Sequence, residues 1–336
     1  MKLYVGVTDE NWFNYLRDLN AEEVNFWRPT AKTAFKVLAP GELFLFRLRA
    51  PKRVIVGGGT FVTYSRLPLS VAWDSFAEKN GTANVETLQL LINKYRQGYK
   101  LPVDPDPLIG CVILNNTFFL NNRDRIAEPS DWKPGLVQGK SYETSSEIGQ
   151  EILTQLSSTR TLPRFIRTTV LENRSTYQTN ISNDIDNEED NETTSHNDDH
   201  SERYGSSYST RGRLGQGAFR VLVIEAYNHR CAMTGTGALP ALQASHIKPY
   251  AQLGPHSVTN GILLRVDLHN LFDRGYITIT PDYKIKVSPK LQEAYEDVTE
   301  YYQLDGKPLQ ILPKSNKSWP APKFIEWHNQ NVFLQK

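Results

Sequence analysis

The feature that most constrains this chain is a stretch that cannot fold by itself. Residues 174–210, RSTYQTNISNDIDNEEDNETTSHNDDHSERYGSSYST, are rich in Asn, Asp, Ser and Thr and nearly free of apolar side chains. Such a segment buries too little surface to offset the entropy of ordering its backbone, so it reads as a disordered acidic linker. His196 and His200 within it read as solvated side chains rather than metal ligands. The remainder of the 336 residues returns to an ordinary globular mixture on both sides. Two folding units joined by a tether are therefore expected.

The linker also distorts the charge balance. The chain carries a net charge of +1, yet nine acidic residues and no Lys or Arg fall between Ser175 and Glu202, which leaves +10 on the rest. A basic body with an acidic tether suits a polyanionic partner such as nucleic acid. No run approaches the ~20 apolar residues that span a bilayer. The start, MKLYVGVTDENW, lacks the basic and apolar regions of a secretory signal, so the cytoplasm is the expected compartment. With only Cys111 and Cys231 present, a disulfide scaffold and a four-cysteine zinc site are excluded, and no zinc is expected.

Residues 1–135 read as mostly β. LYVGV (3–7), LFLFRLRA (43–50), RVIVGGGTFVTY (53–64) and IGCVILNNTFFL (109–120) are rich in β-branched and aromatic residues. Asn11–Leu19 and Val85–Tyr99 carry helical apolar spacing. Gly57–Gly59 interrupts a strand pattern without a following GK[ST] helix, which suggests a bulge or close backbone approach rather than a phosphate loop. Short strands with two helices suggest a small, partly closed barrel. Residues 136–173 read as a connecting region with one helix, 145–157, capped by Ser145 or Ser146.

The second unit, 211–336, reads as helix 215–227, a β-hairpin within 231–247, helix 265–274 stopped by Gly275, two strands in 276–289 around a Pro-Asp turn, and a terminal helix 323–333. Its chemistry concentrates between His246 and Asp273, in HIKPYAQLGPHSVTNGILLRVDLHNLFD. His246 ends a predicted strand. His269 and Asp273 lie four apart on a predicted helix and share one face. Phosphodiester hydrolysis needs such a set. A divalent cation on His269 and Asp273 would neutralise the scissile phosphate and stabilise the leaving oxygen. His246, left off the metal, would take a proton from the attacking water, and its ordinary pKa near ~6.5 suits that role.

The whole pattern, C-x-x-T-G, then ASHIKPY, then NGILLRVDLHNLFDRG, resembles the HNH or ββα-metal nuclease family, and within it the restriction-endonuclease-like branch, where RLGQGAFR (213–220) recurs with the other motifs. The resemblance covers about 211–336. It implies His246 as general base, Asn260 as the brace of the loop and base, His269 as a catalytic metal ligand, and Asp273 as the further ligand. Mg²⁺ or Mn²⁺ is the implied cofactor and double-stranded DNA the implied partner. Ser245 departs from the family at a position where many members carry a metal-binding Asp or His, which leaves water and phosphate to complete the ion's shell. Arg213, Arg220, Lys248, Arg265 and Arg274 are the candidate phosphate contacts, Arg265 foremost. Cys231 reads as a core residue. One such site cuts one strand, so a double-strand break requires a homodimer or two independent nicks.

The first unit resembles, more faintly, the PUA-like barrels that include EVE, ASCH and SRA-type domains, on YVGVTD (4–9), VNFWRP (24–29) and PGELFLFRLRAPKRVIVGGGTFV (40–62). That resemblance implies a pocket for an unstacked, often modified base. Trp12, Tyr15, Phe26, Trp27 and Trp73 are the candidate stacking residues, with Arg28, Lys52 and Arg53 as phosphate contacts. The expected fold is thus α+β: a PUA-like β-barrel with helices, the acidic linker, and a ββα-metal nuclease domain. The expected activity is that of a modification-dependent restriction enzyme in phage defence. The rivals are a sequence-specific HNH restriction enzyme on unmodified DNA and a catalytically weak nucleic-acid-binding protein, with RNA as an alternative target of the first unit.

Overall fold

The computed structural model describes residues 1–136, 138–159, 162–163, 166–167 and 215–335. The chain forms two compact units, Met1–Gly212 and Arg213–Lys336. The predicted acidic linker and Arg213 lie outside the described residues.

The first unit is built on one seven-stranded sheet. Its strands are β1 (Lys2–Thr8), β2 (Glu23–Arg28), β3 (Leu43–Leu48), β4 (Val54–Pro68), β5 (Leu108–Phe119), β6 (Ile126–Ala127) and β7 (Gly139–Glu143). The order is β2-β5-β4-β3-β1-β7, with β6 paired to β4. β1 and β3 are parallel, and the other pairs are antiparallel. Among the described residues, α1 (Glu10–Asp18), α2 (Leu69–Phe76), α3 (Val85–Gly98) and α4 (Glu147–Ser158) accompany it.

β3 explains how the sheet is packed. Its sequence, LFLFRL, is buried at every position. Side chains alternate across a strand, so Leu43 and Leu45 must serve one face and Phe44, Phe46 and Leu48 the other. Leu43 and Leu45 join Leu3, Val5, Leu153 and Leu156 in one core, covered by α4. Phe44 and Phe46 join Trp12, Phe13, Leu16 and Leu114 in the other, covered by α1. The glycine run in β4 behaves as its pattern predicts. A Cβ on Gly58 would stand 2.5 Å from the Phe44 carbonyl oxygen, and the β4–β5 register shifts between Gly58 and Thr60. Backbone approaches there too closely for any side chain, and the bulge bends the long strand.

Sequence and structure differ at the unit's far edge. Residue 135 is not its boundary. β7 pairs with β1 over Lys2–Gly6, and α4 fills the leucine core, so part of the region read as a connector completes the fold. The α4 cap is Ser146, whose Oγ accepts from the Gly149 amide at 3.1 Å. β2 and α2 were not anticipated as elements.

The second unit begins with α5 (Gln216–Ala226). Strands β8 (Leu242–His246) and β9 (Gly261–Arg265) form an antiparallel pair, followed directly by α6 (Val266–Asp273). β10 (Ile277–Ile279) and β11 (Ile285–Val287) form a second pair around the predicted turn. Short helices α7 (Lys290–Ala294) and α8 (Thr299–Tyr302) precede the terminal α9 (Pro322–Asn331). The hairpin expected inside 231–247 is not formed. Cys231–Thr236 closes as a turn, with Cys231 and Gly235 amides bonded to the Thr236 and Cys231 carbonyls, and the true partner of β8 is β9. GILLR has the apolar, branched composition of a buried strand, and its residues 261–264 are buried. Cys231 is fully buried, as its isolation predicts. Among the described residues no helix is long and apolar enough to cross a membrane.

Candidate active site

β8, β9 and α6 bring together the groups that the His246–Asp273 spacing singled out. His246 is the last residue of β8 and pairs across the ladder with Gly261. α6 follows β9 without a loop, so its inner face turns back over the strand pair. Leu268 and Phe272 are fully buried there. That anchors the helix and aims His269 and Asp273, one turn apart, along the β8 side. Ser245 Oγ on β8 lies 3.4 Å from Asp273 Oδ1, and Gln243 Oε1 lies 2.7 Å from His269 Nδ1.

The His269–Gln243 contact fixes more than position. The Gln243 carbonyl oxygen accepts, so His269 Nδ1 carries the proton and Nε2 the lone pair. That lone pair faces Asp273 Oδ2 at 3.1 Å. Two acceptors this close repel unless a cation lies between them, either a proton or a metal ion. Adjacent donors on one ion with bonds of about 2.1 Å are separated by about 3.0 Å. The pair therefore fits a metal. Among the described residues no group of three or more His, Cys, Asp or Glu is arranged to hold an ion. A two-donor protein contribution matches Mg²⁺ or Mn²⁺, which keep waters, better than zinc, which takes three or four protein ligands.

His246 is a neutral imidazole. Burial, with His256 adding to the effect, pushes its pKa down to about 4; Asp273 opposes this and His269 adds to it slightly. That is well below the ordinary value expected from sequence. The ring is stacked on Phe219 of α5, with centroids 3.9 Å apart. Asn260 is fully buried. Its carboxamide donates to the Lys248 and Pro255 carbonyls at 2.9 and 3.0 Å and accepts from the Lys248 amide at 2.9 Å. It closes the root of the β8–β9 connection. Gly254 belongs to the same closure, since a Cβ there would stand 1.8 Å from the Lys248 carbonyl oxygen.

The candidate phosphate contacts fare unevenly. Arg265 is engaged in a two-point pair with Asp267, through Nε at 2.8 Å and through Nη2, and Asp267 also accepts from Tyr301. The guanidinium expected to clamp a strand is thus bound within the fold. Lys248 Nζ lies 5.4 Å from the centre of the Trp327 ring. Arg274 donates to the Asn270 carbonyl at 3.2 Å, on an exposed surface. Arg220 is half-buried on α5.

In the first unit a cavity of about 310 Å³ lies where β1 and β2 end, beside α1 and the last turns of α3. Tyr4, Trp12, Phe26, Trp27, Phe35, Tyr95 and Tyr99 give it an aromatic wall, and Arg28, Lys32 and Arg49 supply cations. Trp12 and Trp27 both donate from Nε1 to the Asn80 carbonyl, at 3.0 and 2.9 Å. Arg28 is fixed by Thr33 and Gln138. Arg49 lies over the Tyr95 ring. Of the five predicted stacking residues, Trp12, Phe26 and Trp27 converge here. Tyr15 and Trp73 do not line the cavity: Tyr15 turns to Glu78, 3.1 Å away, and Trp73 is half-buried on α2. Of the remaining predicted cations, Lys52 pairs with Glu10 and Arg53 lies 4.0 Å from Glu128.

Residues 231–280 match the HNH endonuclease family. The HNH segment thus spans β8, β9, α6 and β10, and contains every candidate catalytic and metal-ligating residue. A solved structure described as the modification-dependent TagI restriction endonuclease is similar at 22% identity, over 36% of this chain and 38% of that one, with a TM-score of 0.27. The chain thus covers well under half the length of that protein. An ASCH structure from Zymomonas mobilis is similar at 8% identity, over 45% of this chain and 94% of that one, with a TM-score of 0.31. A point mutant of the Zymomonas mobilis ASCH protein gives 9% identity, 46% and 98% coverage, and a TM-score of 0.30. No curated protein matches.

Two residues of the HNH segment were missed by sequence reasoning. Gln243 sets the tautomer of His269, and His256 lies 2.9 Å from His246. Gln243 sits two residues before Ser245 on the same face of β8, so strand alternation could have found it. No spacing rule points to His256, which reaches the site through a loop.

Proposed function

We propose that this chain is a divalent-metal-dependent DNA endonuclease of the modification-dependent restriction type, acting against phage DNA. The observation that carries the hydrolytic reading is the 3.1 Å approach of His269 Nε2 and Asp273 Oδ2, with neutral His246 nearby. His269 and Asp273 would hold Mg²⁺ or Mn²⁺, which supplies charge neutralisation at the scissile phosphate and at the departing oxygen. His246 takes the proton of the attacking water on the ring nitrogen not engaged with His256. Its depressed pKa keeps it unprotonated through the neutral range, and an approaching phosphate anion raises its basicity. Asn260 holds the loop that frames it. Lys248 and Arg274 meet flanking phosphates. The products carry 5′-phosphate and 3′-hydroxyl ends.

The cavity of the first unit supports the selective half of the reading. Its aromatic lining offers an unstacked base rings to stack on, and Arg28, Lys32 and Arg49 suit the attached phosphates. The acidic linker gives the cutter reach and repels unselected DNA.

One panel tests the reading. Plain, cytosine-methylated, hydroxymethylated and glucosylated DNA, and RNA, are digested with Mg²⁺ or Mn²⁺. Cleavage confined to a modified DNA is expected. Equal cutting of plain DNA at a fixed sequence would replace the reading with a sequence-specific enzyme, and binding without cutting would replace it with a binding protein. Shortening 175–202 is expected to narrow the spread of cleavage positions.

A further inference from the structure

The site contains an imidazole pair that the spacing of its motif residues does not announce. His246 Nε2 and His256 Nδ1 are 2.9 Å apart. Each ring is covered on one face: His246 by Phe219 at 3.9 Å and 12°, His256 by Tyr250 at 4.4 Å and 5°. The loop carrying His256 is closed at its root by the three Asn260 hydrogen bonds. The backbone that carries His256 is thereby held beside His246, and the ring itself is kept in place by Tyr250 and by the contact with His246.

Only one proton fits between two ring nitrogens. If His256 donates it, the lone pair on His246 Nε2 is consumed, Nδ1 carries a hydrogen, and His246 has no basic nitrogen left. If His246 donates it, the lone pair lies on Nδ1. We propose that His256 is a positioning residue that accepts from His246 Nε2–H, thereby fixing the tautomer and ring plane in which His246 Nδ1 is the base. The proposal rests on the nuclease reading of this site. In the step it serves, a water O–H bond breaks and its proton joins His246 Nδ1. The oxygen's electron pair forms the new bond to phosphorus, and the P–O3′ bond breaks with its pair on the leaving oxygen. The imidazolium shares its Nε2 proton with His256, which spreads the new charge. A neutral imidazole here does what a carboxylate does for the base of a serine-hydrolase triad.

The full-length protein is assayed on whichever DNA of the panel the wild type cuts. His256→Phe keeps a ring on Tyr250 and removes the acceptor. It is expected to lower kcat about 10- to 100-fold, with KM and DNA binding unchanged. His256→Asn, whose carboxamide oxygen can accept, is expected to recover part of that loss, and it serves as the readout should His256→Phe not fold. Long-range ¹H–¹⁵N spectra should show the His246 Nε2–H tautomer in the wild type and a mixture in His256→Phe. Wild-type kcat in His256→Phe, or an unchanged His246 tautomer, would overturn the proposal. A wild type that cuts no DNA sinks the nuclease reading and the catalytic role with it, while the spectra still decide whether His256 orients His246.

Discussion

The cavity of the first unit and the polar cluster of the second are assembled in opposite ways. The cluster comes from one stretch, Gln243 to Asp273, in which a strand pair runs straight into a helix. The cavity takes its walls from Tyr4 to Gln138, and its rings are held by packing across a doubly buried sheet. A chemical site needs a few donors at fixed separations, and neighbouring elements supply them within a short stretch of sequence. A binding site of this size needs area, and area is gathered from wherever the fold brings rings together.

If that contrast is right, damage to the cluster removes cleavage from every substrate, whereas damage to the cavity changes only which substrate is chosen. The largest effect is expected from His246→Ala, which should lower cleavage by roughly 10²–10⁴-fold while DNA binding, read by gel shift, persists. A variant that still cuts at the wild-type rate would place the chemistry elsewhere. EDTA should silence the wild type equally well and Mg²⁺ restore it, and Asp273→Asn should raise the metal concentration needed for half-maximal cleavage.

Structure rather than chemistry is tested next. Asn260→Ala strands the Lys248 amide and the Lys248 and Pro255 carbonyls, and should cost about 3 kcal/mol in urea denaturation. The second unit should also weaken in acid. His328 is 2% exposed, and burial holds its pKa down to about 4. The unfolded chain binds this proton near pH ~6.5 and the folded one only near 4, so stability is full above the upper value and falls as pH drops between the two. The loss attributable to His328 should reach about 3 kcal/mol, and a His328→Phe variant should show a shallower slope between pH 7 and 4.5. The smallest effect belongs to the cavity. Trp27→Ala should cost about 1–3 kcal/mol of selective binding, seen as lost discrimination between modified and plain DNA at an unaltered maximal rate.

The same contrast explains what the sequence made legible. His269 and Asp273 stand four apart on one helix, so their shared face follows from backbone periodicity, whereas Asn260 was legible only through the family resemblance. The strands of the first unit were visible as runs such as LFLFRLRA, and the glycine run as a bulge. β2 was not, because EVNFWR mixes a buried acid and Asn into its pattern, and those polar groups have private partners: Glu23 pairs with Lys79 and Asn25 with Asn80. Tyr15 and Trp73 looked as suitable as Trp12 and Trp27, since composition cannot tell which way an aromatic side chain points. Arg265 looked like a clamp because Asp267, two residues on, cannot be recognised as its partner without the turn from β9 into α6.

The Asn80 carbonyl has a consequence for how the cavity of the first unit could change shape. One main-chain oxygen anchors two indoles from different elements, so neither ring moves without giving up its own bond to that oxygen. Enlarging the chamber by shifting Trp12 alone would leave a buried N–H with no acceptor. The cavity is therefore most easily reshaped at other lining residues, Thr30, Lys32 and Thr33, where substitutions leave that shared anchor undisturbed.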